Sequence, residues 1–293
     1  MRTLSLAFIL LTLATPAVAE SLLAPGATVV VLSDKFKFTE GPAVHPRTGD
    51  VYFTDIPNNR IHKWDAVTRL ISVHIENTDG ANGLYFDKDG VLFACQGTAK
   101  KVVSYDASGK ALVLAETYNR RPFNAPNDLW VHPKGGVYFT DPNYSGKPNT
   151  QDAEAVYYIS LESITNIRIT RAADGFKRPN GIIGTADGKT LYVSDRSANK
   201  TWRYDIADDR KLTNKKLFCD EGSDGMTLDE QGNVYLTPAA KAVHVYNPEG
   251  KLIEKIETPE PPANLTFGGK ERKTLLITAR KYLLSVEMAV KGG

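Results

Sequence analysis

One unit of sequence recurs six times in this chain of 293 residues, at intervals of 40 to 53 residues. Each copy opens on Glu, Asn or Asp and continues as a short apolar stretch, a glycine-containing turn such as RTGD, DKDG or PKGG, and a second apolar stretch. Strand, turn and strand in this order are typical of β-hairpins. The six copies begin at Glu40, Asn82, Asn127, Asn180, Asp224 and Asn264.

The length of the repeat indicates the fold class. A unit of about 40 to 50 residues with about four strands has the size of one propeller blade. The sequence therefore predicts an all-β fold, a six-bladed β-propeller of four-stranded antiparallel blades. The sixth copy ends near Met288 after three strands, whereas residues 27–34 (ATVVVLSD) form a strand that has no blade of its own. We expect this N-terminal strand to complete the last blade and close the ring, and residues 20–293 to form a single domain.

The first 19 residues differ from the repeats. Arg2 precedes the apolar run LSLAFILLTLA, and Ala17-Val18-Ala19 follows as a small-residue cleavage site. This pattern predicts a signal peptide at residues 1–19. The apolar run is too short to span a bilayer, and no later stretch reaches the roughly 20 apolar residues that a spanning helix needs. We therefore expect a periplasmic or secreted protein without membrane insertion after cleavage.

Composition narrows the possible functions. The formal net charge is +2 and the Lys and Arg residues are scattered, so the sequence offers no basic stripe for nucleic acid. It contains no GxSxG, GxxxxGK[ST] or GxGxxG motif, which argues against nucleophilic and nucleotide-dependent chemistry. Cys95 and Cys219 lie in apolar, strand-like stretches. We expect two buried free thiols there, with a disulfide between them as the alternative.

The polar residue that opens each copy indicates a functional site. The first strand of a propeller blade lines the central channel, so the six opening side chains are expected to gather around one end of it. The second strand returns antiparallel to the same face. It would bring a second circle of polar side chains from Asp55, Gln96, Asp141 and Asp195. Turn preference is the alternative explanation for any single position, although it does not account for Glu40, since Glu is a weak turn former.

The chemistry of these side chains favours a cation. Carboxylates from Glu40 and Asp224, crowded at one end of a channel, would repel each other without a positive charge between them. Together with the amide oxygens of Asn127 and Asn180 they form an oxygen-only ligand set, which suits one hard divalent ion. Calcium is the first expectation, and magnesium, manganese and zinc stay open.

Four segments resemble a known family over nearly the whole chain after residue 19. They are TEGPAVHPRTGDVYFTDIPNNRI, APNDLWVHPKGGVYFTDPNY, RPNGI and SDGMTLDEQGNVY, and they resemble the senescence-marker-protein-30, gluconolactonase and luciferin-regenerating-enzyme group of six-bladed propellers. The resemblance implies one divalent cation held by Glu40, Asn127, Asn180 and Asp224, and hydrolysis of sugar lactones to aldonic acids. Animal members of the family carry an Arg at the position of Ala125. The sequence of the four segments is more similar to that of bacterial gluconolactonases. The substrate contacts of the animal branch are therefore not carried over.

A lactonase mechanism with such an ion needs a base. The ion polarises the lactone carbonyl, and a carboxylate takes the proton from the attacking water. Asp224 is the first candidate for this base because it matches the catalytic Asp of the family, and Asp195 and Asp128 are the alternatives. Asp128 directly follows a ligand position on a strand, so we expect it to point away from the channel centre.

The loops at the same face supply candidate substrate contacts. We assign this role to Arg121 and Tyr144, because binding residues favour loops on a rigid scaffold. Asn82 and Asp195, from the two circles at the same end of the channel, are assigned the same role. The insertion at residues 145–155 is expected to be a solvated loop. Two other functions stay open, namely a metal-dependent esterase or phosphotriesterase with the same ligands, and a non-catalytic exported propeller with a structural ion that binds a protein or a cell-envelope sugar.

Overall fold

The structure is a computed structural model that describes residues 21–163 and 166–293. The predicted signal peptide therefore lies outside the described residues. The described part of the chain forms 26 strands and two short 3₁₀ helices, Ile56–Asn58 and Arg196–Ala198. None of its helices has the length and apolar character needed to cross a membrane.

Six antiparallel four-stranded sheets form the blades. Blade 1 contains β2 (Thr39–Val44), β3 (Val51–Asp55), β4 (Arg60–Trp64) and β5 (Ile71–Glu76). Blade 2 contains β6 (Ala81–Phe86), β7 (Leu92–Gln96), β8 (Lys101–Tyr105) and β9 (Ala111–Ala115). Blade 3 contains β12 (Leu129–Val131), β13 (Val137–Asp141), β14 (Ala155–Ser163) and β15 (Asn166–Ala173). The short pair β10 (Thr117–Tyr118) and β11 (Arg121–Pro122) precedes blade 3 as a separate hairpin.

The second half of the ring repeats this arrangement. Blade 4 contains β16 (Pro179–Gly184), β17 (Thr190–Asp195), β18 (Lys200–Ile206) and β19 (Leu212–Cys219). Blade 5 contains β20 (Met226–Leu228), β21 (Val234–Leu236), β22 (Ala242–Tyr246) and β23 (Leu252–Glu257). Blade 6 contains β24 (Asn264–Gly268), β25 (Thr274–Ala279) and β26 (Tyr282–Glu287), and β1 (Val30–Ser33) is its outermost strand. The prediction of a six-bladed propeller with four-stranded blades is confirmed.

The innermost strand of each blade contacts the innermost strands of the two neighbouring blades, in cyclic order from β2 through β6, β12, β16, β20 and β24 and back to β2. The six blades therefore surround one central channel. In blade 6, the N-terminal strand β1 pairs antiparallel with β26, and Val30 lies opposite Ser285. The first and last parts of the chain thus share one sheet.

Apolar side chains fill the spaces between the blades. Phe53 and Trp64 of blade 1, for example, pack against Leu276 and Leu283 of blade 6, and all four are fully buried. A strand that is covered on both faces must be apolar on both faces, which is why stretches such as VYFTD show little polar alternation. The aromatic residues near the ends of the third strands, Trp64, Tyr105, Tyr204 and Tyr246, are buried in this packing.

Cys95 in β7 and Cys219 at the end of β19 are both buried and free. The prediction of two free thiols is confirmed for these residues. Burial raises the pKa of both thiols, which keeps them protonated and unreactive at neutral pH.

Candidate functional site

The polar residues that open the inner strands meet at one end of the channel. Asn180 lies in β16 of blade 4, and its Nδ2 donates a hydrogen bond of 2.6 Å to Oδ1 of Asp224, which lies two residues before the inner strand of blade 5. The negative charge of Asp224 in turn raises the pKa of Glu40 in β2 of blade 1. Three of the four predicted ligand positions are therefore neighbours, although up to 184 residues separate them in the sequence.

Glycines make this convergence possible. A Cβ atom added to Gly83 would clash with the side chain of Asp128 in the next blade, and one added to Gly225 would clash with the side-chain amide of Asn264. Gly41 and Gly181 are equally crowded by the next blade, and Gly41 also has a positive φ of 42°. The residue after the opening polar residue is glycine in most repeats because the neighbouring blade occupies the space of a side chain.

Asp224 lies at the centre of a polar network. One carboxylate oxygen accepts from Asn180, and the other forms an ion pair of 2.5 Å with Nη1 of Arg196. Burial raises the pKa of Asp224, while the Arg196 charge and the Asn180 hydrogen bond act in the opposite direction. Nδ2 of Asn180 also donates to the hydroxyl of Tyr144 over 2.6 Å. The Tyr144 pKa is raised by burial and by the charge of Asp224, so this hydroxyl keeps its proton at neutral pH.

Glu40 is buried beside this network. Its Oε2 accepts a hydrogen bond of 3.0 Å from the backbone N–H of Gly41. Burial is the main cause that raises the pKa of Glu40 well above its ordinary value, and the charges of Asp224 and Asp128 raise it further. A buried carboxylate whose ionised form is destabilised by a neighbouring carboxylate is typical of a site that a positive charge would stabilise.

Asp128 corrects one expectation from the sequence. Its carboxylate does not point away from the channel centre, since its Oδ2 accepts a hydrogen bond of 3.3 Å from Nδ2 of Asn264. Asp128 precedes β12 of blade 3 and Asn264 begins β24 of blade 6, so the bond crosses the channel between opposite blades. The alternation rule failed because Asp128 precedes the regular strand, which begins at Leu129. Burial raises the pKa of Asp128 to about 7.

Asn127 and Asn82 are half-buried at the same end of the channel. The backbone carbonyl of Asn127 accepts from Gly83 N–H over 2.8 Å, and the carbonyl of Asn82 accepts from the Thr54 hydroxyl over 3.0 Å. Within the described part of the chain, neither side-chain amide has a hydrogen-bond partner. Both amides therefore remain available to a ligand.

The second circle of polar residues has a different role from the first. The carboxylates of Asp55, Asp141 and Asp195 each accept backbone N–H groups from the segment that leads into their own blade. Asp195, for instance, accepts from Lys177 and Arg178 at 2.8 and 2.9 Å. These buried carboxylates hold the entry segment of the inner strand in place. Asp195, which the sequence suggests as a substrate contact or base, is thus already engaged with the backbone.

The other two predicted substrate contacts differ in position. Tyr144 is 46% exposed and bonds to Asn180, so it lies at the candidate site. Arg121 is exposed in the β10–β11 hairpin, where its backbone carbonyl accepts from the side chain of Gln151 over 2.7 Å. In the insertion at residues 145–155, the part from Ser145 to Asn149 is exposed, whereas Gln151 is buried.

The ligand set fits a divalent cation of the hard type. Among the described residues, no three His, Cys, Asp or Glu side chains converge, so a cation here draws on the carboxylates of Glu40 and Asp224 together with amide oxygens. Oδ1 of Asn180 is available because its Nδ2 makes the two hydrogen bonds described above. The amide of Asn127 is free as well. Oxygen donors with two negative charges match calcium, magnesium or manganese better than softer ions.

A large cavity opens at the end of the channel opposite to the carboxylate cluster. It has a volume of about 860 Å³ and is lined by hairpin turns and by apolar residues such as Leu129, Trp130 and Leu265. Asp128 and Asn264 line it, whereas Glu40 and Asp224 do not. The bond between these two residues therefore separates the cavity from the carboxylate cluster.

Arg196 is the residue of this site that sequence reasoning missed. It follows Asp195 in the motif SDRS, and its charge gave little signal because the residue directly after the second strand is Arg only in blades 4 and 6. Position in the repeat was the available clue, since a residue directly after the second strand lies at the same face as the opening residues.

A six-bladed propeller whose channel ends in a cluster of carboxylate and amide side chains defines the class of protein. Comparison with known proteins identifies the family within this class. The profile described as "SMP-30/Gluconolactonase/LRE-like region" matches residues 38–281, and the chain belongs to this family.

Individual relatives agree with this assignment. The gluconolactonase of Zymomonas mobilis is 27% identical over 299 residues, which cover 90% of this chain and 82% of the relative. The structure of a gluconolactonase from Xanthomonas campestris is similar with a TM-score of 0.83 at 25% identity, over 91% of each chain. Regucalcin from Agrobacterium tumefaciens, a calcium-binding protein, shares the fold with a TM-score of 0.76 at 22% identity, over 90% of this chain and 94% of that one.

Proposed function

We propose that this protein hydrolyses sugar lactones to aldonic acids with the help of one divalent cation held by Glu40, Asn127, Asn180 and Asp224. The observation that carries the proposal is the position of Asp224, a half-buried carboxylate fixed by Asn180 and Arg196 beside a buried carboxylate, Glu40. The names of the relatives from Zymomonas mobilis and Xanthomonas campestris support lactone hydrolysis as the reaction class.

Asp224 serves as the general base. Its carboxylate takes a proton from the water that attacks the lactone carbonyl. Arg196 and Asn180 hold the two carboxylate oxygens in fixed directions, and the guanidinium charge favours the ionised form that a base needs. Asp195 and Asp128 are the alternatives, of which Asp195 anchors the backbone N–H groups of Lys177 and Arg178 and Asp128 accepts from Asn264 across the channel.

The cation supplies Lewis-acid polarisation of the ester carbonyl when it is bound. Calcium is the ion we propose, because all available donors are oxygens and two of them are charged. The hydroxyl of Tyr144 borders the same space and retains its proton, so it can donate a hydrogen bond to a substrate oxygen.

Acid release by the purified protein from residue 20 onward tests the proposal. Aldonolactones of five- and six-membered rings are assayed after chelation and after addition of calcium, magnesium, manganese or zinc, with an aryl ester and a phosphotriester in parallel. We expect lactone hydrolysis that requires the ion and is lost in Glu40→Gln. Turnover of the ester or phosphotriester alone would instead make this propeller an esterase or phosphotriesterase. Ion-dependent stability without any turnover would make it a binding protein with a structural ion.

We further propose that the protein is exported. The motif at residues 1–19 supports this, with cleavage after Ala19. Expression of the full chain in a Gram-negative host, followed by mass spectrometry of the periplasmic fraction, should give a product that begins at Glu20. A full-length product in the cytoplasm would contradict this assignment.

A further inference from the structure

Three arginines surround the site at the open end of the channel. Arg178 immediately precedes β16, Arg196 follows β17, and Arg280 lies between β25 and β26. Arg196 and Arg280 occupy the same position in blades 4 and 6, the connection from the second to the third strand. All three guanidinium groups act on the network around Asp224. Arg196 pairs with Asp224 directly, the Arg280 charge lowers the pKa of Asp224, and the Arg178 charge lowers the pKa of Tyr144.

Two of the three arginines are held by aromatic rings. The guanidinium of Arg178 lies over the ring of Tyr144 at 4.8 Å, and that of Arg280 lies over the ring of Phe38 at 5.7 Å. The carboxylate nearest to Arg178 belongs to Glu154, at a loose 3.9 Å from Nε. Stacking on a ring orients a guanidinium and leaves the N–H groups at its edge free to bind an anion.

The two outer guanidinium groups, those of Arg178 and Arg280, are open to an anionic ligand. Arg196 is already paired with Asp224, and the carboxylates of Asp55, Asp141 and Asp195 are engaged with backbone N–H groups. Within the described part of the chain, Arg178 has only the loose contact with Glu154, and no carboxylate forms an ion pair with Arg280.

We propose, building on the lactonase function proposed above, that the preferred substrate is an acidic sugar lactone, one that carries a carboxylate or a phosphate outside the lactone ring. The guanidinium groups of Arg178 and Arg280 bind this anionic group. Arg196 is paired with Asp224 at the reacting end. A guanidinium matches the two oxygens of a carboxylate or a phosphate in a bidentate arrangement. Neutral aldonolactones have no carboxylate or phosphate that Arg178 and Arg280 could bind.

The specificity constant kcat/KM, measured for three lactones, tests this inference. The probes are neutral D-glucono-1,5-lactone, D-glucaro-1,4-lactone with a carboxylate, and 6-phospho-D-gluconolactone. We expect kcat/KM for one of the acidic lactones to exceed that for the neutral lactone about tenfold at low salt. Sodium chloride at about 0.5 M should reduce this ratio, because exposed charges are screened.

Substitutions of the arginines show which side chains cause the preference for acidic lactones. Arg178→Gln and Arg280→Gln should each reduce the acidic-to-neutral ratio several-fold, whereas Arg168→Gln, an exposed arginine on the outer strand β15, is the matched control and should leave the ratio unchanged. A second readout does not require turnover. With the cation present, the dicarboxylate glucarate should raise the melting temperature more than gluconate does, and Arg178→Gln should remove this difference.

The outcomes separate the two proposals. Hydrolysis of the neutral lactone with an equal or higher kcat/KM, together with equal stabilisation by gluconate and glucarate, overturns the acidic-substrate inference and leaves the lactonase function intact. Failure to hydrolyse any of the three lactones overturns both. A preference for the phosphate over the carboxylate, or the reverse, identifies the anionic group.

Discussion

The side-chain amide of Asn264 donates a hydrogen bond of 3.3 Å to the carboxylate of Asp128, and the two residues belong to opposite blades of the ring. This bond closes the channel between the carboxylate cluster and the large cavity at the other end. It also ties blade 3 directly to blade 6, which share no sheet. The inner end of the candidate site is therefore formed by a hydrogen bond between side chains from opposite sides of the central channel.

Removal of this contact should weaken the fold. Asn264→Ala leaves the buried Asp128 without its amide donor, so we expect the free energy of unfolding to fall by about 1–3 kcal/mol. Urea denaturation of the wild type, Asn264→Ala, Asp128→Ala and the double variant measures the coupling between the two side chains. A coupling energy near zero in this cycle would show that the bond does not form in solution.

The role of Asp224 can be separated from that of Asp195 by kinetics. Asp224→Asn keeps the shape of the side chain and removes the base, so kcat should fall by a factor of about 10² to 10⁴. Asp195→Asn loses part of the backbone anchoring by Lys177 and Arg178. It should therefore reduce stability more than kcat. The reverse pattern would make Asp195 the base.

The stabilisation of the protein by the cation should depend on Glu40. Without an ion, Glu40→Gln removes one of two neighbouring carboxylates, so the melting temperature of the chelated variant should exceed that of the chelated wild type. Saturating calcium should then stabilise the wild type by about 3 kcal/mol at a concentration 100 times Kd, and the variant much less. Equal stabilisation of both proteins by the ion would place the ion elsewhere. Differential scanning fluorimetry gives both quantities.

Asp141 should make stability depend on pH. Burial raises its pKa to about 7, despite the hydrogen bonds from the backbone N–H groups of Asn124 and Ala125. The unfolded chain loses this proton near pH 4. Between pH 4 and 7 the folded state therefore binds more protons, and the free energy of unfolding falls as the pH rises, by at most about 4 kcal/mol. Asp141→Asn should reduce this slope in urea titrations of the chelated protein at pH 5, 6 and 8, while the contribution of Asp128, whose pKa is also raised to about 7, should remain. The exposed control Asp208→Asn should retain the full slope.

The two cysteines should stay reduced in the folded protein. Cys95 and Cys219 are buried, so a thiol reagent should label neither in the native state and both after denaturation without a reductant. Mass spectrometry of the alkylated protein counts the labels. Fewer than two labels after denaturation would show that the cysteines had been oxidised.

Much of the fold was predictable because the repeat is periodic. Hydrophobic alternation and glycine turns are local properties, and six copies of a blade-sized unit admit few architectures. Glu40, Asn180 and Asp224 were predictable for the same reason, since equivalent positions in a ring must lie at the same end of its axis. Asn264 was assigned to that ring, but its bond to Asp128 was not foreseen, because Asp128 precedes its strand and does not follow the alternation of strand residues.

The sequence by itself determined the number of blades, the direction of the inner strands and the residues that open them, because these follow from patterns within each repeat. Only the tertiary structure decided which side chains pair across the blades. The ion pair of Arg196 with Asp224 and the stacking of Arg280 on Phe38 join residues from different blades. Such contacts depend on distances that are set when the ring closes, and no single repeat contains that information.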